Sequence, residues 1–518
     1  MAEFDLAGDG VSPLPRAAPI SGLGATLAFG FGAHFFIALV NILATPILLK
    51  LMGVEAYGLV AFFLVLQGWM LLFDLGISPA LARQLSRYRA GAIDAAAARG
   101  LMAAAETVFI GGGVAAGLVL ALASPWIAVH WLHSATLSRH ELDLSLRLIA
   151  VLLVFRWLTG LYQSALVGLE RQNLVNALAA ASVALRYGAA VAALALVART
   201  PAIFFAVQAA FTVAEAVISR LLLGGAMPKA SARPDWRGLK AEFRFAAGLT
   251  LASAAATLIG QADRLALSHA LPLTEFGLFG LVVQISAGIT LVVPPFAQAF
   301  QPRLTSLLAR HEQADFAHVY RLASGLILAL SVGLAGTIAA QPEWVVWAWT
   351  GRLDAARHLA PALSLYAAGG AIAAYLFVPF LLQYAQGKVR LHVIGNVAFA
   401  VVWVPAAVIA AFRWGPVGAG AVWLIGNLLY LLLWTPRIHK ALLSKAERRG
   451  LDLGVWLRGA ALAALLAATR YLPLGVASRP AAFAALAVIS LAVTALAAAS
   501  SREIWTFAAH LLMPSRRR

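Results

Sequence analysis

Apolar runs about as long as a bilayer is thick recur from one end of this chain to the other. They lie near 22–50, 55–82, 100–123, 142–168, 173–197, 202–225, 243–270, 276–302, 317–348, 359–385, 390–412, 416–436, 455–472 and 480–500. A helix needs about 20 predominantly apolar residues to cross the hydrocarbon core, and each run supplies that. With 62% hydrophobic and 12% charged residues, the chain carries about half the charge expected of a soluble protein. The spacing therefore predicts an all-α, polytopic membrane protein with about 14 transmembrane helices.

Loop charge sets the expected orientation. One set of loops holds Arg83, Arg87, Arg89, Arg99, Arg171, the segment from Arg220 to Arg244, Arg303, Arg310, Arg321, Lys388, Arg390 and the segment from Arg437 to Arg458. The alternate set holds Lys50, Arg139, Arg199, Arg352, Arg357, Arg413, Arg470 and Arg479. The first set is richer by about three to one, which places it, and both termini, in the cytoplasm. Residues 1–21 are polar, lack a basic leader and read as a disordered cytoplasmic tail. The net charge of +17 fits basic loops against anionic headgroups, not nucleic acid.

The chain repeats itself. Leu51 to Arg89 opens on Tyr57-Gly58-Leu59, and Pro272 to Arg310 opens on Phe276-Gly277-Leu278, a shift of 219 residues. The same shift carries Gly168 and Arg171 onto Gly387 and Arg390, and His34 onto Ser253. Six helices thus repeat as six more. An even number per repeat preserves orientation, so two lobes related by a pseudo-two-fold axis along the membrane normal are expected. The first would span 22–226 and the second 243–442. Residues 227–242 form a cytoplasmic linker, and 443–518 hold two additional helices and a basic tail.

No catalytic constellation emerges. There is no phosphate-binding Gly-rich loop followed by Lys-Ser/Thr, no HExxH, no metal spacing among the histidines and no cysteine. The sequence therefore predicts neither a cofactor nor a metal site. The informative residues are polar ones inside spans, since a charge at the bilayer centre costs about 2.5–3.5 kcal/mol. His34, Asn41 and Thr45 share one face of the first helix. Ser253, Thr257, Gln261, Arg264 and Ser268 make the matching stripe on the seventh. Gln67 and Asp74 lie in the second helix, Arg156 and Gln163 in the fourth, Ser182 and Arg186 in the fifth, Gln208, Thr212 and Glu215 in the sixth. His34, Asn41, Gln67, Arg156, Arg186, Gln261 and Arg264 are the candidate substrate-binding residues of a cavity between the lobes. Asp74, Glu215 and Asp263 are the candidate ion-coupling groups. Three buried arginines suit a phosphate or pyrophosphate, whose oxygens guanidinium grips bidentately. Pairing of Arg156 or Arg186 with Glu215 or Asp74 would be the structural alternative.

The stretch PILLKLMGVEAYGL followed by FDLGISPALAR resembles the polysaccharide-transporter family of oligosaccharide flippases. This family lies within the multidrug/oligosaccharidyl-lipid/polysaccharide exporter superfamily. The second-lobe stretch ADRLALSHALPLTEFGLF resembles it too. The resemblance covers residues 22–442. It implies two six-helix bundles that alternate between inward-open and outward-open forms. It also implies a cationic cavity for an undecaprenyl-pyrophosphate-linked glycan, in a bacterial plasma membrane. Its partners would be that lipid-linked glycan, membrane lipids, and polysaccharide polymerase with other assembly proteins. Two alternatives stay open: a cation-coupled multidrug exporter of the same superfamily, and a polytopic membrane glycosyltransferase or polymerase. Against the last, the external loops are short and carry no paired carboxylates.

Overall fold

The computed structural model describes residues 23–512 apart from 75, 228–232, 290–292, 449–450 and 472–477. The N-terminal tail, part of the linker and the last arginines fall outside the described residues.

In the first lobe, α1 (Leu23–Met52), α2 (Val54–Phe73), α3 (Ile77–Arg89), α4 (Ala95–Trp126), α5 (Arg139–Gly168), α6 (Gln172–Leu196) and α7 (Pro201–Ala226) follow in order. The second lobe holds α8 (Trp236–Ala270), α9 (Leu273–Ile289), α10 (Val293–Ala309), α11 (Gln313–Ser331), α12 (Thr337–Ala340), α13 (Pro342–Thr350), α14 (Leu353–Ala385), α15 (Arg390–Leu429) and α16 (Thr435–Leu442). A short α17 (Lys445–Arg448) leads to α18 (Asp452–Ala468), α19 (Arg479–Ala499) and the surface helix α20 (Arg502–Leu512).

Helix starts follow local chemistry. Asp94, Ser138, Thr200, Asp235 and Ser478 each cap a helix by accepting a backbone N–H from three residues ahead. Pro201 sits at the first turn of α7, where no N–H is missed.

Among the described residues, ten helices are long and apolar enough to cross a membrane alone. The count of about fourteen is reached because some crossings are composite. The expected span 55–82 breaks after Asp74, where Gly76 takes a left-handed conformation (φ 77°), and its arginine-rich half becomes α3. The span 276–302 divides likewise into α9 and α10. Helix α15 holds two crossings. Gly415 (φ 58°, ψ −148°) reverses the chain, and Trp403 of the first half lies directly over Gly426 of the second.

The internal repeat is visible as a reciprocal contact. A Cβ on Gly58 would stand 2.3 Å from the Leu273 carbonyl oxygen, and one on Gly277 would stand 2.3 Å from the Val54 carbonyl oxygen. The shift of 219 residues carries Val54 onto Leu273 and Gly58 onto Gly277. Each lobe thus offers the other the same small residue against the same carbonyl, which is how a two-fold axis acts on a helix crossing. One hydrophobic core runs through this crossing, joining Leu48, Tyr57 and Phe205 of the first lobe to Leu267, Phe276 and Leu363 of the second. Helices α18 and α19 close a separate core on α11 and the turn after it, where Gly333 and Gly336 admit Thr494 and Leu466.

The lobes touch at both ends. At the Lys50 end, Glu55 accepts bonds from Ser134 Oγ (2.6 Å) and the amides of Ala135 (2.6 Å) and Thr136 (3.2 Å). This holds the loop after α4 on α2. The same loop accepts the Leu273 amide at the His133 carbonyl (2.8 Å), and Trp131 Nε1 donates to Ser268 Oγ (3.0 Å). At the arginine-rich end, Glu242 of α8 accepts from Arg83 (2.5 Å) and Gln84, and the Asp235 amide donates to the Gly100 carbonyl (2.9 Å).

Candidate functional site

Helices α1, α2, α5, α6 and α7 enclose a cavity of about 620 Å³ in the first lobe. Six of the sequence candidates line it: Asn41, Gln67, Asp74, Arg156, Arg186 and Glu215. They converge because each is the polar member of an otherwise apolar helix, and burying a polar group in the lobe costs least beside other polar groups.

Glu215 is the hub. Its Oε1 accepts from Gln163 Nε2 (3.0 Å), and its Oε2 from Ser182 Oγ (2.6 Å) and Arg156 Nη1 (3.4 Å). Asp74 is engaged as well: its Oδ1 accepts the Ser78 amide (2.9 Å) and caps α3 where the chain breaks. The donors are in surplus. Arg186 is buried with its guanidinium 5.8 Å from the Tyr187 ring, and its Nε has no partner. Gln208 Nε2 and Trp157 Nε1, on the same walls, are also buried without acceptors.

The cavity is therefore not cationic by formal count: two arginines face two carboxylates. Its asymmetry lies in hydrogen bonding. Both Glu215 oxygens and Asp74 Oδ1 accept bonds within the protein, while the Arg186, Gln208 and Trp157 N–H donors have no acceptor there.

Four candidates lie elsewhere. His34 is exposed on α1 and bonds the Gly30 carbonyl through Nδ1 (2.8 Å). Gln261 lies where the lobes meet, with its amide against Gly68 of α2. Asp263 is buried in the second lobe, where it accepts from the Tyr366 hydroxyl. Arg264 is partly buried, has an unpartnered Nε, and is absent from the wall that Arg156 and Arg186 share. Arg264 thus does not share the first-lobe wall with Arg156 and Arg186. On its helix Gln261 meets Gly68 of α2, Ser268 meets Trp131, and Ser253 is exposed.

Residues that sequence reasoning passed over complete the picture. Gln284 of α9 reaches across the lobes. Its Oε1 accepts from Thr45 Oγ1 (2.9 Å) and Tyr57 OH (2.8 Å), and its Nε2 donates to the Asn41 carbonyl (3.2 Å). Glu106 accepts from Tyr162 OH (2.9 Å) and Arg220 Nε (2.5 Å) below the cavity. A lone glutamine or glutamate in an apolar helix carries no sequence pattern that names its partner. Only the partner on another helix reveals it. Among the described residues, no three His, Asp or Glu side chains gather as a metal-ligand set.

The backbone is similar to those of solved transporters. "Lipid II flippase MurJ, inward closed conformation" superposes with a TM-score of 0.66 at 12% identity, covering 94% of this chain and 100% of that one. The MATE multidrug transporter DinF-BH gives 0.62 at 15% identity, covering 83% and 98%. An inward-facing multidrug resistance MATE family transporter of the MOP superfamily gives 0.59 at 16% identity, covering 78% and 95%. At such identities the likeness is one of fold. No curated protein sequence matches the chain. The family model described as polysaccharide biosynthesis protein matches residues 25–308, nearly the whole first lobe and the opening helices of the second. On that match over more than half its length, this multi-pass helical chain belongs to the polysaccharide biosynthesis protein family.

Proposed function

We propose that the protein is a flippase that moves a lipid-linked oligosaccharide, joined to its polyprenyl carrier by pyrophosphate, across the bacterial plasma membrane by alternating access. The observation that carries this is the donor surplus in the first-lobe cavity. Arg186 Nε, Gln208 Nε2 and Trp157 Nε1 lack acceptors, and a pyrophosphate is an acceptor-only group that would supply them. Family membership in polysaccharide biosynthesis and a fold shared end to end with a lipid II flippase support the same reading. The two lobes supply the machinery: contacts between them at either end can open in turn about a fixed site.

Export of a lipophilic cation is the second reading, favoured by Asp74, a partly exposed carboxylate on the cavity wall. Against it, Asp74 already caps α3 and Glu215 is bonded at both oxygens.

Deletion of the gene followed by analysis of lipid-linked sugars separates the two. The proposal expects lipid-linked glycan to accumulate on the cytoplasmic side. An unchanged lipid pool with altered tolerance to cationic drugs would overturn it.

A further inference from the structure

The second lobe contains a cavity of its own, also about 620 Å³, between α8, α10, α14 and the two halves of α15. Its chemistry differs from that of the first. Among its described lining residues there is no Asp, Glu, Lys or Arg. Aromatic rings and amides take their place. Phe399 lies 4.8 Å from Tyr430 and Phe380 lies 4.6 Å from the His392 ring, measured between centroids. Two large rings are set into the walls on glycines: Trp403 over Gly426, and Trp423 over Gly369.

The amides are turned in one sense. Gln383 is 1% exposed; its Nε2 donates to the Pro379 carbonyl (3.2 Å), and its Oε1 is buried with no partner. Asn427 likewise gives its Nδ2 to the Trp423 carbonyl (2.8 Å). Each gives an N–H to its own helix, and the Gln383 carbonyl oxygen is left without a partner at the cavity. The first lobe thus offers donors, and the second offers acceptors beside aromatic faces.

The repeat shows how the two diverged. The 219-residue shift carries Gln208 onto Asn427, so an amide occupies the same place in each lobe. It carries Arg156 onto Tyr375 and Glu215 onto Trp434, so the second lobe has no counterpart of that ion pair.

From these features we infer that the second-lobe cavity is a binding site for the uncharged sugar portion of the cargo. It works in tandem with the first-lobe site for the anionic head. Sugar hydroxyls bring the donor that the Gln383 oxygen lacks, and the C–H faces of pyranose rings pack on aromatic planes. A phosphate brings only acceptors and would leave the Gln383 oxygen opposed to another oxygen. This inference rests on the cargo being a glycan joined to pyrophosphate.

The test uses the full-length protein in lipid nanodiscs and two probes. Binding of the disaccharides chitobiose and lactose is followed by saturation-transfer NMR, and binding of inorganic pyrophosphate by phosphorus NMR line broadening. Chitobiose or lactose should give a signal that weakens about five- to tenfold in affinity in Asn427→Leu and in Gln383→Leu. The same signal should be unchanged in Arg186→Ala. Pyrophosphate should show the reverse pattern. Asn427 is only partly buried, so its variant remains informative if Gln383→Leu does not fold. No disaccharide signal with the unaltered protein, or a signal indifferent to Asn427→Leu, overturns the inference. Loss of pyrophosphate binding from the unaltered protein would instead count against the proposed cargo.

Discussion

Gly58 and Gly277 are in direct contact across the two lobes: a Cβ on Gly277 would lie 3.0 Å from the Gly58 amide nitrogen and 3.3 Å from its Cα. The pair marks the point where the internal symmetry of the chain becomes a physical crossing. Backbone faces backbone there, so no flexible side chain can yield to an added group.

Gly277→Leu should therefore push the lobes apart at the Lys50 end. Overpacking of this kind costs about 1–3 kcal/mol. The expected outcome is a lowered melting temperature in detergent and faster thiol labelling of a cysteine placed at Ser268, which is buried beneath Trp131 of the first lobe. Unchanged labelling and melting would mean that the crossing does not hold that end shut.

Glu215→Gln should destabilise the first lobe by about 2–3 kcal/mol. That is below the full figure for breaking a buried pair, because the Arg156 side chain is 28% exposed. Pairing it with Arg156→Met should recover most of the loss, since the double change removes both charges. Thermal unfolding of the single and double variants checks this. Failure of the pair to recover stability would show that Gln163 and Ser182, the other donors to Glu215, carry the hub.

Arg186→Ala should weaken pyrophosphate binding about ten- to a hundredfold, the consequence of losing a charged hydrogen bond of about 1.5–3 kcal/mol. Lysine should restore part of it, keeping the charge without the planar fork. Arg264→Ala should leave pyrophosphate binding near normal, because Arg264 is not on that cavity's wall. A titration followed by phosphorus NMR measures all three. Equal losses at Arg186 and Arg264 would point to a site between the lobes.

The absence of cysteine makes orientation simple to test. In spheroplasts, an impermeant thiol reagent should label Arg199→Cys, in the sparsely charged set of loops. It should not label Ala92→Cys, beside the arginine-rich end of α3. Labelling of Ala92→Cys alone would invert the topology.

Much of the architecture could be read in the sequence because hydropathy and loop charge act locally. The Gly58/Gly277 match survived in the letters because a helix crossing tolerates only small residues there. Convergence of Asn41, Gln67, Asp74, Arg156, Arg186 and Glu215 was also legible, as the collected polar members of apolar helices. The position of Arg264 was not: Asp263, its neighbour, turns to Tyr366, and which neighbour a residue of α8 meets depends on how that helix is rotated. The second-lobe cavity gave no charge to notice. Carrying Gln208 through the repeat onto Asn427 was the one signal that could have exposed it.

Helix α8, 35 residues long, extends roughly 52 Å at 1.5 Å per residue, well beyond a hydrocarbon layer of about 30 Å. Along that length it meets the opposite lobe three times: at Asp235 and Glu242, at Gln261, and at Ser268. A stiff rod held at both ends and at a point between them behaves as an unequal lever. Tilting it by about 5° about the Gln261 contact would move the Trp236 tip by roughly 3 Å and the Ala270 tip by roughly 1 Å in the opposite sense. Release at one membrane face and tightening at the opposite face would then be a single motion, transmitted by one rigid beam without a relay of side chains.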